Sequence, residues 1–170
     1  MNKSAGFTLI ELVIVIIILG ILGAVAAPRL FNLQGDAYGA NLNAMKSSIS
    51  TAATMANAKA QIASKGMGAA DADDAKSVPG YADTTFAFGY PIAGLNATTN
   101  VEDDWKGGIL GTLDNFDAGR YNVVIDETSV TISPKSLDSE KCKVVYTQAS
   151  KAADETIITP AEVTSTTEEC

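Results

Sequence analysis

The first pattern along the chain is a nearly unbroken apolar run from Phe7 to Ala27, interrupted by one charged residue, Glu11. As a helix this run would span roughly 31 Å, the thickness of a full hydrocarbon core and more than the short apolar core of a secretory signal. Beyond it Tyr38, Leu42, Met45, Ile49, Ala52, Ala56 and Ala63 recur at steps of three, four and seven, which is one apolar face of an α-helix. Lys65-Gly66 then supplies a basic last turn and a glycine stop. The pattern predicts one helix over about residues 8–64, roughly 85 Å long, so that half of it should protrude from a domain of this size. Its small Ala positions suit packing on a sheet; a dimeric coiled coil is the competing explanation.

After Gly66 the periodicity changes to short alternating runs. Strand signals occur at Thr84–Gly89, Tyr121–Asp126, Ser129–Ser133 and Cys142–Gln148. Val123 with Ile125, and Val130 with Ile132, alternate across the Asp126-Glu127-Thr128 connection and predict a hairpin. Three or four antiparallel strands covered by the helical stripe give an α+β architecture. Pro28 falls inside the helix, where it lacks an N–H and opposes the carbonyl of Ala24, so a kink is expected there. Gly20 and Gly23 make the stretch leading to it the weakest helix former. Gly35 and Gly39 have the spacing of a close-packing pair but lie outside the apolar span.

Composition removes several function classes. The 170 residues carry a formal charge of −8 and no histidine. Such an acidic chain is a poor match for nucleic acid, and the inventory excludes a Ser-His-Asp triad and a histidine-rich metal site. No nucleophile–base pair, metal cluster or phosphate loop is visible, so no enzymatic activity, metal or other cofactor is expected. Asp71-Ala72-Asp73-Asp74 reads as a solvated acidic loop rather than a calcium site. Glu102-Asp103-Asp104 reads as the first turn of a helix capped by Asn100, with Trp105 packing that helix onto the head.

Glu11 is the informative residue. Lys3, the apolar run and Ala24-Val25-Ala26 loosely satisfy an ordinary secretory signal, but a carboxylate within an apolar span costs up to about 2.5–3.5 kcal/mol at the membrane centre. Cleavage between Gly6 and Phe7 would free an α-amine that is mostly protonated near neutrality. A neighbouring chain could offer that amine to Glu11 at the same depth, pairing two charges that are otherwise unpartnered and fixing the register between subunits.

Gly6-Phe7-Thr8-Leu9-Ile10-Glu11 followed by an apolar helix resembles the class III signal of type IV pilins and pseudopilins. The resemblance implies cleavage after Gly6 by prepilin peptidase, N-methylation of Phe7, assembly through Glu11 and Phe7, and loss of helix around Gly20, Gly23 and Pro28 as subunits pack. Three further runs are similar to mannose-sensitive haemagglutinin (MSHA) pilins: Ala27–Ala37, Phe88-Gly89-Tyr90-Pro91 and Cys142–Ala149. Leu30-Phe31 and Tyr38 depart from that pattern, which would have Phe-Leu and a basic residue.

The expected organisation is then a leader over 1–6, a transmembrane and polymerisation helix over 7–27, its amphipathic continuation over 28–65, and a head over 66–170. In an exported head, Cys142 and Cys170 should form a disulfide, contributing about 3.6 kcal/mol by the chain-entropy account and fastening a floppy Thr- and Glu-rich tail. The expected partners are prepilin peptidase, the pilus assembly machinery, the inner membrane, further copies in a helical filament, and a host or abiotic surface with a glycan among the candidate ligands. The expected location is the inner membrane with a periplasmic head, then an extracellular pilus of a Gram-negative bacterium used for adhesion. The competing functions are a pseudopilin of a type II secretion system and a soluble adhesin released by signal peptidase.

Overall fold

The computed structural model describes residues 8–71, 75–94, 104–114, 116–137, 140–152, 157–168 and 170, with only the backbone described at 28–32 and 34. The chain divides into two compact units, Met1–Ala37 and Tyr38–Cys170. Helix α1 (Leu9–Ala63) supplies the described part of the first unit and opens the second. Its backbone is α-helical throughout, Gly20, Gly23 and Pro28 included. Neither glycine has a neighbour within 4 Å of a built Cβ, so packing within this chain does not require glycine at either position.

In the second unit α1 buries Leu42, Ile49, Ala53, Ala56 and Ala60. The sequence-based stripe holds at Leu42, Ile49 and Ala56 and, half-buried against the core, at Met45 and Ala52; Ala53 and Ala60 are the buried residues it left out, and Ala63 is only half-buried. The difference lies in which alanine sits at the centre of the face, since the predicted positions from Tyr38 to Ala56 average 3.6 residues per step, the pitch of the helix itself. The helix end is also corrected. Lys65 N–H donates to Ala60 O at 3.0 Å and Ser64 N–H to Gln61 O at 3.1 Å, a Schellman closure with Ser64 in the left-handed position at φ 51°. The last turn holds no basic residue. Gly66 serves a different purpose, because a Cβ there would lie 2.7 Å from that of Phe86.

Strands β1 (Phe86–Ala87) and β2 (Tyr90–Pro91) form a small hairpin. Its two connecting residues, Phe88 and Gly89, both have positive φ (52° and 84°), the signature of a tight turn matched to strand twist. Only two residues of the expected Thr84–Gly89 strand therefore pair. Asn57 of α1 donates to Gly89 O at 2.9 Å, anchoring the turn to the helix. Asn100, Glu102 and Asp103, like residues 72–74 of the acidic loop, lie outside the described residues; from Asp104 the chain forms short 3-10 turns (Asp104–Gly107, Ile109–Thr112) instead of an α-helix. Ile109 and Leu110 enter the core, and Trp105 packs against it, edge-on to Phe116 at 5.2 Å.

The main sheet contains β3 (Tyr121–Ile125), β4 (Ser129–Pro134), β5 (Lys143–Thr147) and β8 (Glu162–Thr166), all antiparallel in the order β3-β4-β5-β8. The predicted hairpin is present with Val123 opposite Ile132 and Ile125 opposite Val130. Both rows continue across the sheet, through Val144 and Ser165 in one and Tyr146 and Val163 in the other. These inward positions meet Leu42, Ile49 and Ala53 of α1 to make the core. Alternation puts one face of each strand against the helix and the other toward water.

The tail requires a correction. It is strand β8 at the sheet edge, hydrogen-bonded along β5, rather than a loop held only by its cysteine. Its sequence, Glu-Val-Thr-Ser-Thr, has β-branched residues but one strong hydrophobe, so burial gave little signal in advance. Cys142 and Cys170 are joined, with Cα atoms 5.3 Å apart and Cys142 buried in the core. Beyond the sheet the β5–β8 ladder resumes in unchanged register as β6 (Ser150–Lys151) and β7 (Ile158–Thr159), after an interruption at Gln148-Ala149 and Pro160-Ala161. Proline has no N–H to give, which accounts for the break.

Two polar ties fasten the segment after β2 to the sheet. The buried Tyr146 hydroxyl donates to Pro91 O at 2.5 Å, and Gln148 Oε1 accepts from Ala93 N–H at 2.9 Å. On the outer face of α1, the hydroxyls of Ser47, Ser48, Thr51 and Thr54 each donate to the carbonyl four residues back. The Tyr38 hydroxyl accepts from Ser136 at 3.1 Å.

Burial pushes the ionisation of Tyr146 well above its ordinary value of 10.0, with Tyr90 adding to the shift. The folded state therefore holds its proton where the unfolded state has lost it, and stability falls as pH rises above about 10. Tyr146→Phe should remove that alkaline component and, by stranding the Pro91 carbonyl, lower stability near neutrality by about 1–3 kcal/mol. Urea unfolding of the full chain in micelles at several pH values measures both effects. Ser64→Gly should act in the opposite direction, stabilising by about 1 kcal/mol because the left-handed conformation no longer opposes a side chain. The same unfolding assay tests it.

Candidate functional site

The first unit presents an apolar surface with one carboxylate in it. Leu9–Ala27 is long and apolar enough to cross a membrane, and none of it is buried. Leu9 is 80% exposed, Ile10 66% and Leu22 60%. The 19 residues correspond to about 28 Å of helix, close to a hydrocarbon thickness. Glu11 is the sole ionisable side chain in this stretch.

The local sequence fixes how Glu11 is held. Thr8 precedes the first helical residue, and its backbone N–H and hydroxyl donate to Glu11 Oε2 at 3.0 and 2.8 Å. Glu11 N–H in return approaches Thr8 Oγ1 at 3.4 Å. This is a reciprocal capping box: helix N-termini leave backbone donors unsatisfied, and a Thr-x-x-Glu sequence supplies acceptors for them. The carboxylate is thereby folded back toward the start of the helix, where the positive end of the helix dipole also favours it. Both donations fall on Oε2, and among the described residues no donor meets Oε1.

The sequence-based expectation used Glu11 only as a partner for another chain; its intrachain role was missed. The Thr-x-x-Glu spacing at 8–11 was the available signal. Thr8 joins the site as the residue that positions Glu11. Gly6 and Phe7, the expected cleavage and methylation residues, lie outside the described residues. Gly20, Gly23 and the backbone of Pro28 are in α1, and the structure does not gather them around Glu11. Cys142 and Cys170 belong to the head and are joined there. Among the described residues no group of three or more Cys, Asp and Glu side chains converges as metal ligands would.

Comparison with known proteins gives two findings that bear on this geometry. Residues 1–27 match the family described as the prokaryotic N-terminal methylation motif. Over 59 residues the chain is 44% identical to the type IV narrow pilus major component PilA5 of Thermus thermophilus, an alignment that covers 35% of this chain and 51% of that protein. The chain thus spans about half the length of the curated relative it matches. No solved structure matches it. The N-terminus is type IV pilin-like, and the architecture behind it is α+β, as in the type IV pilin fold.

Thr8→Ala should fray the first turn of α1, costing about 0.5–2 kcal/mol of local helix stability. Hydrogen exchange of the amides from Leu9 to Val13 in micelles should accelerate about 2- to 30-fold, with the amides beyond Gly20 unchanged.

Proposed function

We propose that this chain is the precursor of a type IV pilus structural subunit of the MSHA kind, made in a Gram-negative envelope. Residues 1–6 are a leader removed between Gly6 and Phe7 by prepilin peptidase, and the new Phe7 amine is methylated. Residues 7–27 hold the subunit in the inner membrane, 28–65 continue the helix, and 66–170 form the exported head. The pilus assembly machinery then draws the subunit into a helical filament that carries the cell's attachment to surfaces.

The observation that carries this reading is the fully exposed apolar span with one capped carboxylate in it. Such a surface needs lipid or other apolar helices around it, and the same segment can use both in turn. Glu11 Oε1 then accepts from the methylated amine of a neighbouring subunit, so that a chain docks at the depth where both charges are compensated. Gly20 and Gly23 fit the same scheme. Each weakens the helix by about 1 kcal/mol relative to alanine, and no contact within the chain repays that loss. Local unwinding between Gly20 and Pro28 in the packed filament does. The MSHA assignment rests on the runs Ala27–Ala37, Phe88–Pro91 and Cys142–Ala149.

Intact mass and N-terminal sequencing of sheared surface material test the proposal. A chain beginning at methylated Phe7 is expected there; a chain beginning at Ala27 would mean signal-peptidase release, and a processed chain confined to membranes would indicate a pseudopilin. Glu11→Gln should leave insertion intact and lower the sheared filament at least tenfold, the loss of one desolvated charge pair. Wild-type filament from that variant would refute the docking role.

A further inference from the structure

The last strand of the head lies against the first helix. From β8 onward Val163, Ser165 and Thr167 alternate inward and are half-buried, between the exposed Glu162, Thr164, Thr166 and Glu168. Ser165 Oγ donates to Asn43 Oδ1 at 3.2 Å. Thr167 stands over Gly39, where a built Cβ would lie 3.7 Å from Thr167 Cβ and 3.8 Å from its carbonyl oxygen. Two residues of strand rise about 6.8 Å and four residues of helix about 6 Å. The end of β8 and the residue after it therefore run beside one turn of α1 in the opposite sense, each inward residue meeting one helical residue.

That turn is the root of α1, where the helix enters the second unit at Tyr38. Leu42 within it is fully buried, and the Tyr38 hydroxyl at its start is tied to Ser136 beyond β4. Gly39 is buried as well. A larger side chain there would press on the backbone of Thr167.

The sequence of β8 gives it little hold of its own. Val163 is its one strong hydrophobe, and the inward positions after it are a serine and a threonine. Five residues pair with β5, and beyond them Cys170 packs against the core while joined to the buried Cys142. A polar edge strand of this kind opens locally at low cost unless its end is tied.

We propose that β8 and the Cys142–Cys170 disulfide form a redox-controlled clasp on the root of α1. With the sulfurs joined, β8 holds residues 39–43 down on the head. With the bond reduced, β8 leaves the β5 edge, Gly39 and Asn43 lose their contacts, and the root loosens while Ile49, Ala53, Ala56 and Ala60 stay buried. Closing the clasp joins the two sulfurs; the two thiol protons and two electrons pass to an oxidised dithiol carrier, which leaves as a dithiol. The clasp goes beyond the filament reading, and only its consequence rests on that reading: an oxidised subunit enters the filament with the root of its helix fixed to its head.

Hydrogen exchange of the full chain in micelles, before and after reduction with tris(2-carboxyethyl)phosphine, tests the clasp. Reduction should accelerate exchange about 30-fold or more in β8 and about tenfold at residues 39–43, with residues 49–60 and the β3–β4 hairpin unchanged. Gly39→Leu tests the grip with the disulfide intact. Leucine is the better helix former, so a root that is not gripped would exchange more slowly, whereas displacement from Thr167 should speed it about fivefold. Residues 39–43 that keep their protection in either experiment would overturn the clasp. Equal acceleration of β3 and β4 on reduction would make the disulfide a staple of the whole head and overturn the redox control. These results need no filament and leave that reading standing; absence of surface filament from wild-type cells would overturn the filament reading and leave the clasp.

Discussion

The constraint on which the rest depends is the mismatch between Leu9–Ala27 and water. A helix with large aliphatic side chains on every side has no face to give to solvent, and none of the described residues covers it. At about 25 cal/mol per Å² of apolar surface, an uncovered segment of this length is untenable in an aqueous compartment. The chain therefore carries an obligation to be surrounded. The capping box at Thr8 and Glu11 makes that obligation tolerable, because it gives partners to the Thr8 and Glu11 backbone N–H groups and to one carboxylate oxygen before any neighbour arrives.

The head solves a different problem, holding a long excursion between the helix and the sheet with few large hydrophobes. Three side-chain bonds to backbone do much of it: Asn57 to Gly89, Tyr146 to Pro91, and Gln148 with Ala93. These ties give the runs Phe88–Pro91 and Cys142–Ala149 a structural purpose. In Phe88–Pro91 the first two residues make the hairpin turn and the last offers its carbonyl to Tyr146. In Cys142–Ala149, alternate residues supply the disulfide, a core valine, the buried tyrosine and the glutamine tie. Those residues hold this head together.

Much of the architecture was legible because it rests on periodicity. The helix limits fell within a residue of the prediction, and the β3–β4 hairpin appeared with its alternation intact. What escaped had weaker local signals. β8 is a strand because β5 offers it an unpaired edge and the disulfide holds its end close, both long-range effects that its Thr-rich sequence does not announce. The helix stop moved from Gly66 to Ser64 because closure geometry prevailed over residue preference, while Gly66 answers to the proximity of Phe86. At the candidate site Glu11 stood out as a charge in an apolar run. Its partner Thr8 did not, because attention to charge passed over a neutral hydroxyl three residues earlier.

The back-bonded hydroxyls of α1 have a consequence for how the head half of the helix meets other surfaces. By composition, Ser47, Ser48, Thr51 and Thr54 make that flank look hydrophilic, yet each hydroxyl proton is already given to the helix's own backbone. Those four protons are not stranded when water is removed, so covering these hydroxyls costs less than covering four that donate to water. A side chain that looks hydrophilic by composition can therefore leave water at a reduced penalty, which composition alone does not reveal.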